Sequence, residues 1–122
     1  MKLITKEVAE RLKSVPLYST DGEGSNAEVL VRFSIPNVAE YLVTEAEEEP
    51  AGSNRFLMFS YGEIHFAEWG YIHSDELENL ILPDGTRFKC IIYNGKTVQE
   101  VYDEIQEEKR QREERSEEEE ER

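Results

Sequence analysis

The 122 residues carry 28 Asp and Glu against 14 Lys and Arg, a formal charge of −14, with 38% apolar composition. Such a chain has room for one domain and one core, and its negative field repels nucleic acid and anionic membranes while favouring basic partners. Its uncharged apolar stretches, such as Phe56 to Tyr61, fall far short of the roughly 20 residues a membrane span requires, and no basic segment precedes an apolar one at the N-terminus, so a cytoplasmic protein is expected.

The charge is not confined to the C-terminal run. Gln106 to Arg122 holds nine Glu and five Lys or Arg, which leaves residues 1–105 with a net charge of −10. The single cysteine, Cys90, sits in the apolar run Phe88 to Ile92 and reads as a small buried hydrophobe, with no partner in the chain for a disulfide.

Along the chain, Thr5 is placed to N-cap a short helix that presents Val8, Ala9 and Leu12 on one face, with Glu7 in its first turn. Pro16 ends it, and Ser19 to Asn26 is rich in turn formers and reads as a surface loop. From Glu28 to Ile35, Val29, Val31, Phe33 and Ile35 alternate with the residues between them, the period of a half-buried strand, closed by Pro36-Asn37. Tyr41 to Thr44 predicts a second strand paired with the first as a hairpin. Glu45 to Asn54, with Glu45, Glu47, Glu48 and Glu49, reads as an acidic surface loop that contributes little to the core.

Arg55 to Tyr61 is apolar on both faces and predicts an interior third strand. A fourth follows over Ile64, Phe66, Trp69, Tyr71 and Ile72, and its switch from even to odd positions predicts a β-bulge near Ala67-Glu68. Ser74 or Asp75 is placed to cap a short helix with Leu77, Leu80 and Ile81, stopped by Pro83-Asp84-Gly85. Arg87 to Tyr93 predicts a fifth strand, Asn94-Gly95 a turn, and Thr97 to Glu100 a capping box that opens a helix with Val98, Val101, Tyr102 and Ile105 in one stripe. Beyond Ile105 no apolar residue remains, so the helix has nothing further to bury; the pairs Glu108 with Arg112 and Glu118 with Arg122 support it weakly. The expected architecture is α+β: a mainly antiparallel sheet of about five strands with short helices packed on it, one domain over 1–105 and a charged helical or disordered tail over 106–122.

Candidate chemistry is sparse. His65 and His73 are the only histidines, and with Glu63, Glu68 and Asp75 they lack the paired spacing of a metal site. No serine lies in a nucleophile elbow and no glycine run forms a phosphate loop, so neither an enzyme nor a cofactor is expected. A pocket lined by His65, Glu68 and Trp69 is the alternative, a small-ligand or catalytic site. The aromatic stretch around Tyr61, Phe66, Trp69 and Tyr71 is assigned mostly to packing, with Trp69 singled out as the one to test for exposure.

Five segments carry a resemblance: Met1 to Glu7, Pro16 to Thr20, Tyr41 to Glu45, Glu68 to Ile72 followed by Asp75 to Glu78, and Lys96 to Glu100. On these the chain, over residues 1 to about 105, resembles a family of small acidic proteins of unknown function carried by bacterial plasmids, phages and integrative elements. The chain departs from that pattern at Asn37 to Glu40 and Leu80 to Pro83, and the segment from Gln106 lies outside it. The resemblance implies a mobile-element setting and neither an activity nor functional residues. Joined to the acidic body, it leads to a non-enzymatic protein-interaction module. Its partner is a basic protein surface, bound through Glu45, Glu47, Glu48, Glu49 and Trp69, with no direct contact to nucleic acid or membrane. The sharper form is an inhibitor that mimics nucleic acid in a groove built for phosphates, as CRISPR inhibitors of several folds do.

Overall fold

The computed structural model describes residues 2–63 and 67–120, with side chains described for 2–62 and 67–115. Helix α1, Lys6–Lys13, starts where Thr5 Oγ1 accepts from Val8 N–H at 3.3 Å and buries Val8, Ala9 and Leu12. Four strands then run as an antiparallel meander: β1 Val31–Ile35, β2 Ala39–Glu48, β3 Phe56–Glu63 and β4 Ala67–His73. Helix α2, Ser74–Asn79, leads to β5, Lys89–Ile92, which returns to pair antiparallel with β1, and helix α3, Val98–Glu120, completes the order. The sheet order is β4-β3-β2-β1-β5, so β3 is interior, as its two apolar faces predict, and β5 is an edge. The class is α+β, as expected. No helix of the described residues is long and apolar enough to cross a membrane.

Each face of the sheet has its own core. On one, α1 and Leu77 of α2 pack on Val31, Phe33, Ile35, Val43, Ala46, Phe56 and Met58. On the other, Val98, Val101 and Ile105 of α3 pack on Val29 and Leu42, with Tyr61, Trp69, Tyr93 and Tyr102 alongside. The capping box is reciprocal, since Glu100 N–H donates to Thr97 Oγ1 at 3.2 Å and Thr97 N–H donates to Glu100 Oε1 at 3.0 Å. The carboxyl of Glu100 is held below its usual range by that backbone donor and by the Thr97 hydroxyl.

Four expectations are corrected. The second strand does not end at Thr44. It continues through Glu45 to Glu48, and Glu45 is 1% exposed. The acidic run therefore reads only in part as a loop, because Glu45 has specific backbone donors that its composition does not reveal. The bulge lies in β2, where register passes from Val43↔Ser60 to Glu45↔Phe59 and leaves Thr44 as the extra residue; from Ala67 to His73 β4 is in continuous register, and Ile64 to Phe66 lie outside the described residues. Helix α2 is capped by His73, whose Nδ1 accepts from Asp75 N–H at 3.2 Å, because Ser74 is buried and its hydroxyl accepts from Phe56 N–H.

The fourth correction is that α3 has something to meet beyond Ile105. Arg32, 3% exposed in the middle of β1, donates Nε to Glu40 Oε1 at 2.8 Å and Nη2 to Glu40 Oε2 at 3.1 Å. Its Nη2 also reaches Glu108 Oε2 at 2.8 Å, and Arg112 reaches Asn37 Oδ1 at 3.1 Å in the β1–β2 turn. Burial alone lowers the affinity of Arg32 for its proton, and the two carboxylates more than reverse this. The pair Glu118 with Arg122 lies outside the described side chains.

Candidate functional site

In an antiparallel pair, directly opposed residues share a face. The register Leu57↔His73, Phe59↔Tyr71 and Tyr61↔Trp69 therefore sets a strip of large side chains on the α3 side of β3 and β4. The rings touch along it: Phe59 stacks on Trp69 at 5.3 Å, Tyr61 meets Trp69 at 5.2 Å and Phe59 meets Tyr71 at 5.0 Å. Tyr102 of α3 meets Tyr61 edge-on at 6.0 Å. Tyr71 is 51% exposed, and Trp69 is half-buried rather than sealed in a core.

Trp69 stands between two clefts. One, of about 320 Å³, lies towards α3 and is lined by Tyr61, Tyr102, Gln99 and Ser25. The other, of about 300 Å³, lies towards the 20–27 loop and is lined by Phe59, Thr20, Asp21 and Gly22. Negative charge gathers here. Glu45 is opposite Phe59 and Glu47 opposite Leu57, so both stem from the same sheet face as the aromatic strip, and Asp21 edges the second cleft. The phenol of Tyr71 is held above its usual range by partial burial, by its hydrogen bond to Tyr18 and by the nearby negative charges of Glu45 and Asp21.

The bulge at Thr44 explains how Glu45 comes to this face. Leu42 points to the α3 side, and strict alternation would carry Glu45 into the apolar core under α1; one extra residue reverses the sides, so that Ala46 takes the core position instead. There Glu45 Oε1 accepts from Tyr18 N–H at 2.9 Å and Oε2 from Thr20 N–H at 2.6 Å and the Thr20 hydroxyl. Its role is to pin the 16–20 segment over the sheet, which makes it a structural residue rather than part of a free acidic loop. Glu48 likewise accepts from Gly52 and Asn54 N–H, and these bonds hold its carboxyl below its usual range. Glu47 and Glu49 are exposed. Of the four glutamates proposed from the sequence, then, two are tied into the backbone and two are available.

Of the three residues of the alternative pocket, the two described ones are not brought together. Glu68 is opposite Gly62, on the face towards α1 and α2, where it adds negative charge near Tyr41, whereas Trp69 points to the other side. Neighbours in a strand point apart, so Glu68 and Trp69 do not line one cavity; His65 lies outside the described residues. His73 is the cap of α2, 3.7 Å from the Asp75 carboxylate. Among the described residues no group of three His, Cys, Asp or Glu side chains is placed to hold a metal ion. Cys90 is half-buried on β5, and desolvation pushes its thiol up to about 12, far from a reactive thiolate.

Sequence reading missed Tyr102 and Asp21 as neighbours of Trp69. The first is masked because it completes the core stripe of α3; the second belongs to a loop with no periodicity, and only the bond network of Glu45 brings that loop over the sheet. No protein-family model, curated protein or solved structure matches this chain.

Proposed function

We propose that this chain is a non-enzymatic interaction module, of the mobile-element setting its resemblance implies, that docks on a basic protein surface through the strip around Trp69. The observation that supports the reading is the placing of Trp69 between two clefts, with aromatic walls, with Asp21 lining one of them and with Glu47 further along the same face of the sheet. A ring face next to carboxylates is the environment an arginine or lysine side chain seeks: cation–π attraction is worth about 0.5 to 2 kcal/mol, and the acids add long-range steering. Aromatic residues are also the usual anchors of protein interfaces.

The sharper form is an inhibitor that occupies a groove evolved for phosphates. Exposed carboxylates on the 20–27 loop, on β2 and just after it, namely Asp21, Glu23, Glu47 and Glu49, offer anions where such a groove offers lysines and arginines. A tagged chain should capture its partner from host lysate at about 50 mM salt and lose it at about 500 mM, because exposed charges are screened over a Debye length of about 10 Å at 0.1 M. Trp69→Ala and the pair Glu47→Lys with Glu49→Lys should each weaken capture while the fold persists. Equal capture by all three proteins at both salts would refute the reading.

A further inference from the structure

We infer that the free edge of β5 is a second docking site, one that takes an extended acidic peptide as a sixth strand of the sheet. It lies at the end of the sheet opposite β4 and does not depend on the reading of Trp69. Three observations converge on it.

The first is backbone chemistry. Tyr93 N–H donates to Leu30 O at 3.0 Å, so in the register Val31↔Ile92, Arg32↔Ile91, Phe33↔Cys90 the amides of Ile91 and Tyr93 face β1 and those of Cys90 and Ile92 face outward. Among the described residues neither outward pair of N–H and C=O groups has a hydrogen-bond partner. The second is apolar surface. Ile91 is 41% and Ile92 42% exposed, one on each face of the edge, and a groove of about 350 Å³ beside the strand is lined by Phe88, Cys90 and Ile92 together with Leu3 and Val8 of the N-terminal segment. An added strand would seat alternate side chains in that groove, the arrangement by which strand addition acquires selectivity.

The third is charge, and it chooses the occupant. In a chain of net charge −14, this edge is bordered by Lys2 and Arg87 at the groove and by Lys89, whose pairing with Ser34 turns its side chain to the other face of the strand, against Glu7 and Glu78. Glu78 is engaged, accepting from Leu3 N–H at 3.0 Å, and no described carboxylate is bridged to Lys2 or Lys89. A second copy of this chain would bring another −14 to the edge, and a basic segment would meet three bases, whereas a strand alternating apolar and acidic residues satisfies groove, backbone and rim together. The β4 edge carries the exposed carboxylate of Glu68 instead.

The test uses the full chain and labelled octapeptides at about 50 mM salt. A peptide alternating valine and glutamate should bind and shift the backbone amide resonances of 88–93. Three changes should each weaken it by about tenfold or more: N-methylation of alternate peptide amides, replacement of its glutamates by lysine, and Lys89→Glu in the protein. Ile92→Pro, which removes an outward donor and no bond to β1, should also abolish binding. The N-methylated peptide keeps the question open to refutation if that variant unfolds. Equal binding of the N-methylated or the lysine peptide would overturn the proposal. So would failure of the glutamate peptide to bind, or sedimentation showing a dimer that Ile92→Pro dissolves, which would give the edge to a second copy.

Discussion

Glu108 stands 2.8 Å from the guanidinium of Arg32, so the sheet's buried cation is completed by a helix turn that lies beyond the last apolar residue of α3. The C-terminal helix is thereby tied to the sheet by charge after its hydrophobic stripe has ended.

Truncation should reveal that tie. Ending the chain after Ile105 removes Glu108 and should lower stability by about 1 kcal/mol, modest because that carboxylate is partly exposed, or about 4 °C in melting temperature. Ending it after Arg115 should leave the melting temperature unchanged. Thermal denaturation of both forms checks this, and equal midpoints would show that the pair is worth nothing.

Arg32 itself should be far less tolerant. Arg32→Ala leaves Glu40, also 3% exposed, as an unpaired buried carboxylate beside Ser34, and should cost on the order of 3 to 5 kcal/mol. Arg32→Ala with Glu40→Leu should recover part of that loss in urea titration.

The buried Glu45 separates folding from binding. Glu45→Gln should destabilise by roughly 1 to 3 kcal/mol, because an amide cannot accept all three donors of Tyr18 and Thr20 as a carboxylate does. Glu47→Lys with Glu49→Lys should stay within about 0.5 kcal/mol of the parent. A reversal of all four glutamates would unfold the protein and say nothing about its partner.

Acid stability follows from carboxyls held below their usual range. For Glu28 the cause is first the Gly95 N–H and then Arg11; for Glu108 it is the Arg32 guanidinium. A carboxyl whose folded value is lowered binds its proton more readily in the unfolded chain, so its stabilisation is complete above the unfolded value near 4.5 and is lost as pH falls through the lower folded value. Urea midpoints should therefore hold level at neutral pH and fall below about pH 4.5, and Glu108→Gln should flatten that decline.

Packing gives a further contrast. Ile105→Ala empties a fully buried site and should cost on the order of 2 to 5 kcal/mol. Tyr102→Ala should cost less, because its ring is half-buried at the edge of the Trp69 cleft, and should alter the emission of the single tryptophan.

What the sequence disclosed, and what it hid, divides by the range of the interactions. The Thr5 cap, the Thr97–Glu100 box and the alternation of Val31, Phe33 and Ile35 are local, and each is legible because its partners lie within a few residues. The burial of Glu45 depends on amides 25 and 27 positions away, and that of Arg32 on Glu108, 76 positions away. A run of glutamates looks like a solvated loop until those donors are known. The strip around Trp69 was half legible: the residues were evident, and the opposite face of Glu68 follows from simple alternation in β4, but their common face with Glu47 follows from a register that one extra residue at Thr44 resets.

The bidentate pair of Arg32 with Glu40 spans only eight positions, across a single hairpin. The strands β1 and β2 therefore carry their own counter-charge, and the cation is neutralised before the chain beyond residue 88 is needed. In kinetic terms the early nucleus should be the meander, a set of short-range closures, while β5 and α3, which close over far longer loops, should dock after the rate-limiting barrier. Substitutions at Glu40 should then slow folding, whereas those at Glu108 should mainly hasten unfolding, a difference that stopped-flow chevrons would separate.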